Sequence, residues 1–245
     1  MHWNKAYAEV VPHVLRIETP SGSGTGFLFA YNATNTIAAI ATAAHVLDSE
    51  HEWRQPIKLI HDATSSEVFL QDSERVIFID RQRDSASILI SADKLPLPKV
   101  PLPLMDASKM KRVGVELAWM GYPSVAYPKL CFFTGCVSAC LDQDDCYLID
   151  GVAINGVSGG PVFASLADGQ PELVGSISAY MPNRVGGSTL PGLLRAQDIS
   201  PFHQTLKKIK SLDDARKKEQ EQPKDSPQSV ESEVLPSSPP REHNG

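Results

Sequence analysis

The sequence predicts an all-β protein in two halves with a closing helix, and three observations carry that prediction. Short apolar runs separated by turn residues recur about every 10–15 residues between positions 10 and 198. No long stretch of that body shows helical periodicity. A proline-rich passage, KLPLPKVPLPLMD (Lys94–Asp106), breaks the series near its middle, and so many prolines cannot sit in a central strand. The predicted order is therefore a β unit over 10–93, a linker over 94–106 and a second β unit over 107–199.

The first unit contains the runs HVLRIE, GTGFLFA, TIAAIATAA, PIKLIH, RVIFID and ASILIS. The second contains VELAWMGY, LCFFTGCVSA, CYLIDGVAI, PVFASL and LVGSISAY. Several alternate apolar and polar residues, as half-buried strands do, and the others are apolar throughout. A helix is expected over 200–212. Ser200 is positioned to cap it, Pro201 suits its first turn, and Phe202, Leu206 and Ile209 recur at helical spacing. Lys207, Lys208 and Lys210 suit the negative end of its dipole. Beyond it the chain is rich in charge, Pro, Ser and Gln. Residues 219–245 read as disordered, because they bury too little apolar surface to offset the entropy of ordering.

Bulk properties exclude some functions. The chain has 245 residues, 42% of them hydrophobic, enough for a sizeable core. Its net charge is −6, and residues 211–245, with eight acids and five Lys/Arg, supply half of it. That balance argues against nucleic acid as a partner. No apolar run reaches the ~18 residues of a membrane span, so no membrane partner is expected. The opening residues MHWNKAYAEV do not read as a secretory leader, so a cytoplasmic location is expected. Cys131, Cys136, Cys140 and Cys146 then default to free thiols. Their spacing misses the usual zinc pairs, although Cys140 and Cys146 flank a turn and a disulfide across it stays open. No metal and no cofactor are expected.

The chemistry centres on Gly156-Val157-Ser158-Gly159-Gly160-Pro161. Glycines allow positive φ and close backbone approach, so a serine among them is held in a tight turn or presented as a nucleophile. Of seven histidines, His45 stands out, because IAAIATAAHVLDS places it rigidly after a small, apolar run, as a general base requires. Asp84, at the mouth of the run SASILIS, can accept from an imidazole and fix its tautomer. Asp80 competes for that role. Gly156–Gly160 also satisfies the G-x-S-x-G nucleophile elbow, but Pro161 opposes the helix that elbow needs, and the order Ser–acid–His is missing. The stretch GSGTG (Gly22–Gly26) lacks the Lys-Ser/Thr pair of a phosphate loop and reads as a β-turn.

TAAHVL, RDSASILI and GVSGGPVF, in that order, resemble the chymotrypsin-like serine peptidases, and most nearly the bacterial trypsin-like and HtrA-like set. SGSGTGFLF, LAWMGYP, FTGCVSA and LVGSISAY extend the resemblance over roughly 10–210. It implies two six-stranded antiparallel β-barrels. It implies Ser158 as nucleophile, His45 as base, Asp84 as its orienting acid, and the amides of Gly156 and Ser158 as the oxyanion hole. A polypeptide is the implied substrate. Val152, Ser178, Ala179 and Tyr180 would line its pocket, which holds no acid and so suits a small or medium apolar P1 residue. Val157 departs from the family pattern, since many animal members carry an acid there that binds a newly cut N-terminus. No such activation site is evident, and no PDZ-like segment follows the helix. The alternative reading is a catalytically silent peptide-binding module on the same fold.

Overall fold

The structure is a computed structural model that describes residues 3–152, 154–185 and 188–221. The side chains of 183–185, 188–191 and 220–221 lie outside that description, as does all of 222–245, which contains most of the expected disordered tail.

The first half runs α1 (Trp3–Val10), β1 (Val14–Thr19), β2 (Gly22–Tyr31), β3 (Ile37–Thr42), α2 (Asp48–Glu52), β4 (Ile57–His61), β5 (Ser66–Leu70), β6 (Val76–Asp80) and β7 (Ser85–Ser91). The second runs β8 (Glu116–Gly121), β9 (Cys131–Leu141), β10 (Cys146–Asp150), β11 (Pro161–Ser165), β12 (Pro171–Val185), β13 (Ser188–Asp198) and α3 (Ser200–Glu221). The second half closes into the expected six-stranded barrel, in the order β10-β13-β12-β11-β8-β9. The first half differs from the expected six-stranded barrel. It is a seven-stranded half-barrel sheet in the order β5-β4-β1-β2-β3-β7-β6. Its additional strand is β5, SEVFL, an edge strand that leaves Phe69 exposed and so carries little core signal. GSGTG is also not a turn: it lies within β2, and the turn falls before it at Pro20-Ser21.

Residues between the two sheets form irregular chain, pinned by a parallel bridge between Leu104 and Leu173 and by burial of Leu95, Leu102 and Met105. The terminal helices cross over. Trp3 of α1 packs edge-on against Phe132 and Phe163 of the second half, with ring centroids 5.9 and 6.1 Å away. Phe202 of α3 packs on Phe27 and Phe29 of the first, at 5.6 and 5.1 Å. Each end of the chain therefore straps the half that the other end belongs to, and burial of these rings opposes separation of the two.

The helix expected over 200–212 continues to Glu221. Its second half is held by Asp213, whose carboxylate accepts from Asn32 Nδ2 at 3.1 Å and Ala33 N at 2.9 Å in the β2–β3 turn. Its start is satisfied differently from the expectation. Ser200 does not cap; its amide and hydroxyl both donate to Asp198 Oδ1, at 3.0 and 2.6 Å.

Candidate active site

β3 and β7 pair in a register that opposes Thr42 to Ala86. His45 lies three residues past the one and Asp84 two before the other, so the sheet ladder itself brings them together. His45 sits in a 3-10 turn, and Asp84 holds φ +48°, a left-handed conformation that Asp tolerates better than most residues. His45 Nδ1 lies 2.9 and 3.0 Å from the two Asp84 carboxylate oxygens. The His45 backbone N–H donates to Asp84 Oδ1 at 3.0 Å. An ionised carboxylate only accepts, so Nδ1 carries the proton and Nε2 keeps its lone pair. The Asp84 hydrogen bond raises the His45 pKa above its ordinary value, burial opposes it, and the charges of Asp84 and Asp48 add to the rise. The His45 side chain remains 49% exposed, open to a substrate.

Asp80, the competing acid, is occupied elsewhere. It accepts from the Arg83 amide at 3.1 Å and pairs with the Arg83 guanidinium at 3.3 Å. Arg83 also reaches into the second half, to Asp145 Oδ2 at 2.8 Å, and so ties down the turn that presents Asp84. The sequence does not single out Arg83 or Asp145: Arg83 adjoins Asp84, but Asp145 lies 62 residues from Arg83, and nothing local announces the pair.

The Ser158 loop docks on the same ladder from the other half. Thr25 N, in β2, donates to Ser158 O at 2.9 Å. Gly159, at φ +81°, lies so close to Thr42 and Ala43 that a Cβ there would approach Thr42 Oγ1 to 2.2 Å and Ala43 N to 2.7 Å. That contact requires glycine and fixes the serine segment beside the residues leading into His45. Among the described residues the Ser158 hydroxyl makes no hydrogen bond, to His45 or to any other group. Gly156 has φ +93°, and among the described residues neither its amide nor that of Ser158 donates to a protein acceptor. These two amides flank Val157, whose own N–H donates to Ile154 O at 3.1 Å, and such a pair at a glycine-rich turn is suited to a developing oxyanion.

The expected pocket residues separate. Ser178 is buried and its hydroxyl donates to Arg195 O at 3.5 Å. Ala179 and Tyr180 are exposed along β12, and the Tyr180 hydroxyl accepts from the Gly192 amide. Tyr180 faces buried Leu194 across the β12–β13 ladder. Val152 is exposed on the loop between β10 and Ser158.

The four cysteines are free. Cys140 pairs with Tyr147 and Cys146 with Leu141, so the two do not oppose each other, and the disulfide left open above does not form. Burial pushes both thiols up. Among the described residues no cluster of His, Cys, Asp or Glu could hold a metal, and no helix is long and apolar enough to cross a membrane.

Residues 24–175 match the sequence model of the trypsin-like peptidase domain. The structure is similar to a serine endoprotease from Yersinia pestis, with TM-score 0.64 and 18% identity over 86% of this chain and 67% of that one. Deg5 gives 0.61 and 20% identity over 83% and 90%. The HtrA-type protease AlgW, solved with a tripeptide, gives 0.64 and 18% over 85% and 63%, so this chain spans less than two thirds of that relative. No curated protein matches the sequence.

Proposed function

The chain belongs to the trypsin-like peptidase family, serine proteases that hydrolyse peptide bonds, and on that premise we propose that His45, Asp84 and Ser158 perform the hydrolysis. The observation that carries this reading is the three-point contact of Asp84 with the His45 ring and amide, at 2.9–3.0 Å. It fixes the tautomer a general base needs.

In this mechanism Ser158 Oγ attacks the scissile carbonyl while His45 Nε2 takes its proton. The C–O bond forms as the carbonyl π pair moves onto oxygen, which the Gly156 and Ser158 amides receive. One such donor contributes ~3–4 kcal/mol to transition-state binding. His45 then protonates the leaving amine, the C–N bond breaks, and an acyl-enzyme remains. Water, deprotonated by His45, releases the acid and restores Ser158. Asp84 stays ionised and stabilises the imidazolium.

The preference for a small or medium apolar P1 residue rests on Val152, Ser178, Ala179 and Tyr180. None is charged, and the Tyr180 ring stands on the strand that would flank the substrate.

Intact-mass analysis after incubation with a fluorophosphonate tests the reading. Wild type should gain one adduct, while Ser158→Ala and His45→Ala should gain none and remain folded. A folded wild type without adduct would overturn it and return the silent peptide-binding module.

A further inference from the structure

The loop that would bind the oxyanion is held by groups from outside it. Thr25 is fully buried in β2. Its hydroxyl donates to Gly156 O at 2.7 Å and accepts from Tyr122 N at 3.0 Å. Ser124 N donates to Asn155 O at 2.8 Å. The two peptide planes on either side of the Gly156 Cα are thus each anchored by their carbonyl. In a trans peptide the N–H points opposite to the C=O. Anchoring Asn155 O therefore turns the Gly156 N–H away from Ser124, and anchoring Gly156 O prevents the neighbouring plane from rotating to compensate. Gly156 has no side chain to resist such rotation and sits at φ +93°.

Val157 follows, where many animal members of the family hold the loop through an acid. It is buried, and it packs so closely on Gly121 that a Cβ there would come within 2.8 Å of the Val157 Cα. An apolar residue cannot form the ion pair, so the loop's orientation has to come from other contacts. At the Gly156 Cα the two outside hydrogen bonds are those contacts, beside Val157 N to Ile154 O at 3.1 Å within the turn; Thr25 N to Ser158 O at 2.9 Å and Gly159 N to Ile177 O at 2.7 Å hold the segment after it.

We propose that Thr25 and the Ser124 amide are positioning groups that keep the oxyanion loop permanently assembled, replacing the activation ion pair with a neutral clamp. This rests on the catalytic reading above. Thr25 acts through Gly156 and touches no reacting atom. Because it belongs to the first half and Gly156 to the second, the oxyanion site is complete only while the two halves are docked.

The test measures fluorophosphonate inactivation as separate kinact and KI, with thermal melting, for wild type, Thr25→Val, Thr25→Ser and Ser124→Pro. The phosphonyl oxygen occupies the oxyanion site only as the bond to serine forms. Thr25→Val should lower kinact ~10–100-fold with KI little changed, a part of the loss seen when an oxyanion donor is removed. Thr25→Ser keeps the hydroxyl and should stay within ~3-fold of wild type. Ser124 is exposed and follows Pro123, already extended at φ −66° and ψ 137°. Ser124→Pro therefore suits the residue before it, but removes the N–H and sets a ring carbon against Asn155 O, so it breaks this anchor and should lower kinact even if Thr25→Val fails to fold. Unchanged kinact in both Ser124→Pro and a folded Thr25→Val, or a Thr25→Ser variant as slow as Thr25→Val, would overturn the clamp. Failure of wild type to react at all would instead overturn the catalytic reading, so the two failures are distinguishable.

Discussion

Replacing Asp84 with Asn removes one charge and almost no volume, and the contacts around it dictate the outcome. Asp84 Oδ1 faces two N–H groups, the His45 amide and Nδ1, both at 3.0 Å, while Oδ2 faces Nδ1 at 2.9 Å. The Asn carbonyl must take the Oδ1 place, because an NH2 group there would confront the backbone donor. The NH2 then faces Nδ1, which has to accept. The imidazole proton moves to Nε2, and the ring presents a donor to Ser158 where a base is needed. The expected loss is ~10⁴-fold in acylation, as for this change in a Ser–His–Asp triad. Folding should survive, since Asn also tolerates the φ of +48° held by Asp84. Trading a charged for a neutral acceptor should cost about 1 kcal/mol. The pH profile moves as well. His45 must be neutral to act, and its pKa is raised chiefly by the Asp84 hydrogen bond, so wild-type activity rises with pH through a value above 6.5. Without that bond and charge, burial works against protonation and the limb moves to lower pH. Inactivation rates of wild type and Asp84→Asn across the acid range, with denaturant melts of both, read all three effects. A rate within tenfold of wild type, or an acid limb that does not move, would refute the assignment of Asp84.

Phe202→Ala should destabilise the protein by ~3–5 kcal/mol in denaturant unfolding, since the fully buried ring bridges α3 to Phe27 and Phe29. Asp145→Asn should slow fluorophosphonate inactivation several-fold while changing stability by less than ~1 kcal/mol. It weakens a half-exposed pair whose consequence lies in how Arg83 holds the Asp84 turn. Tyr180→Ala should shift cleavage of a mixed peptide library toward larger apolar P1 residues, read by mass spectrometry of the products; an unchanged profile would remove Tyr180 from the pocket.

Much of the fold and the candidate site was legible in the sequence because the signals were local. Strand runs such as TIAAIATAA and SASILIS are bounded by turn residues, and His45, Asp84 and Ser158 stand at the ends of such runs. What escaped reading depends on partners distant in sequence. Strand β5 leaves Phe69 exposed, so its pattern does not announce a buried face. Strand β13 contains Pro191 and Gly192, which argue against a strand until β10 and β12 are seen to pair with it. Helix α1 went unread: Trp3, Ala6 and Val10 share helical spacing, but eight residues make a weak signal, and docking on Phe132 and Phe163 stabilises it. Thr25 stood in plain view among glycines. Nothing in its neighbours reveals that its hydroxyl meets a carbonyl 131 residues away.

A neutral clamp on the oxyanion loop has a consequence for pH that an ion pair would not share. An acid paired with an α-amino group loses its partner's charge as that amine titrates, ordinarily near pH 8, and the loop would loosen with it. Here the holding groups are a hydroxyl and two backbone amides. Tyr122 contributes its amide, and burial holds its phenol well above the usual value, so it stays neutral. The charged groups beside it, Arg16 and Asp62, pair with each other at 3.4 Å. A hydroxyl and two backbone amides carry no charge to lose between about pH 7 and 9, so the inactivation rate should stay flat across that range once His45 is neutral. An alkaline limb near pH 8 would mean that an amine supports the loop after all, and the clamp would then be secondary to it.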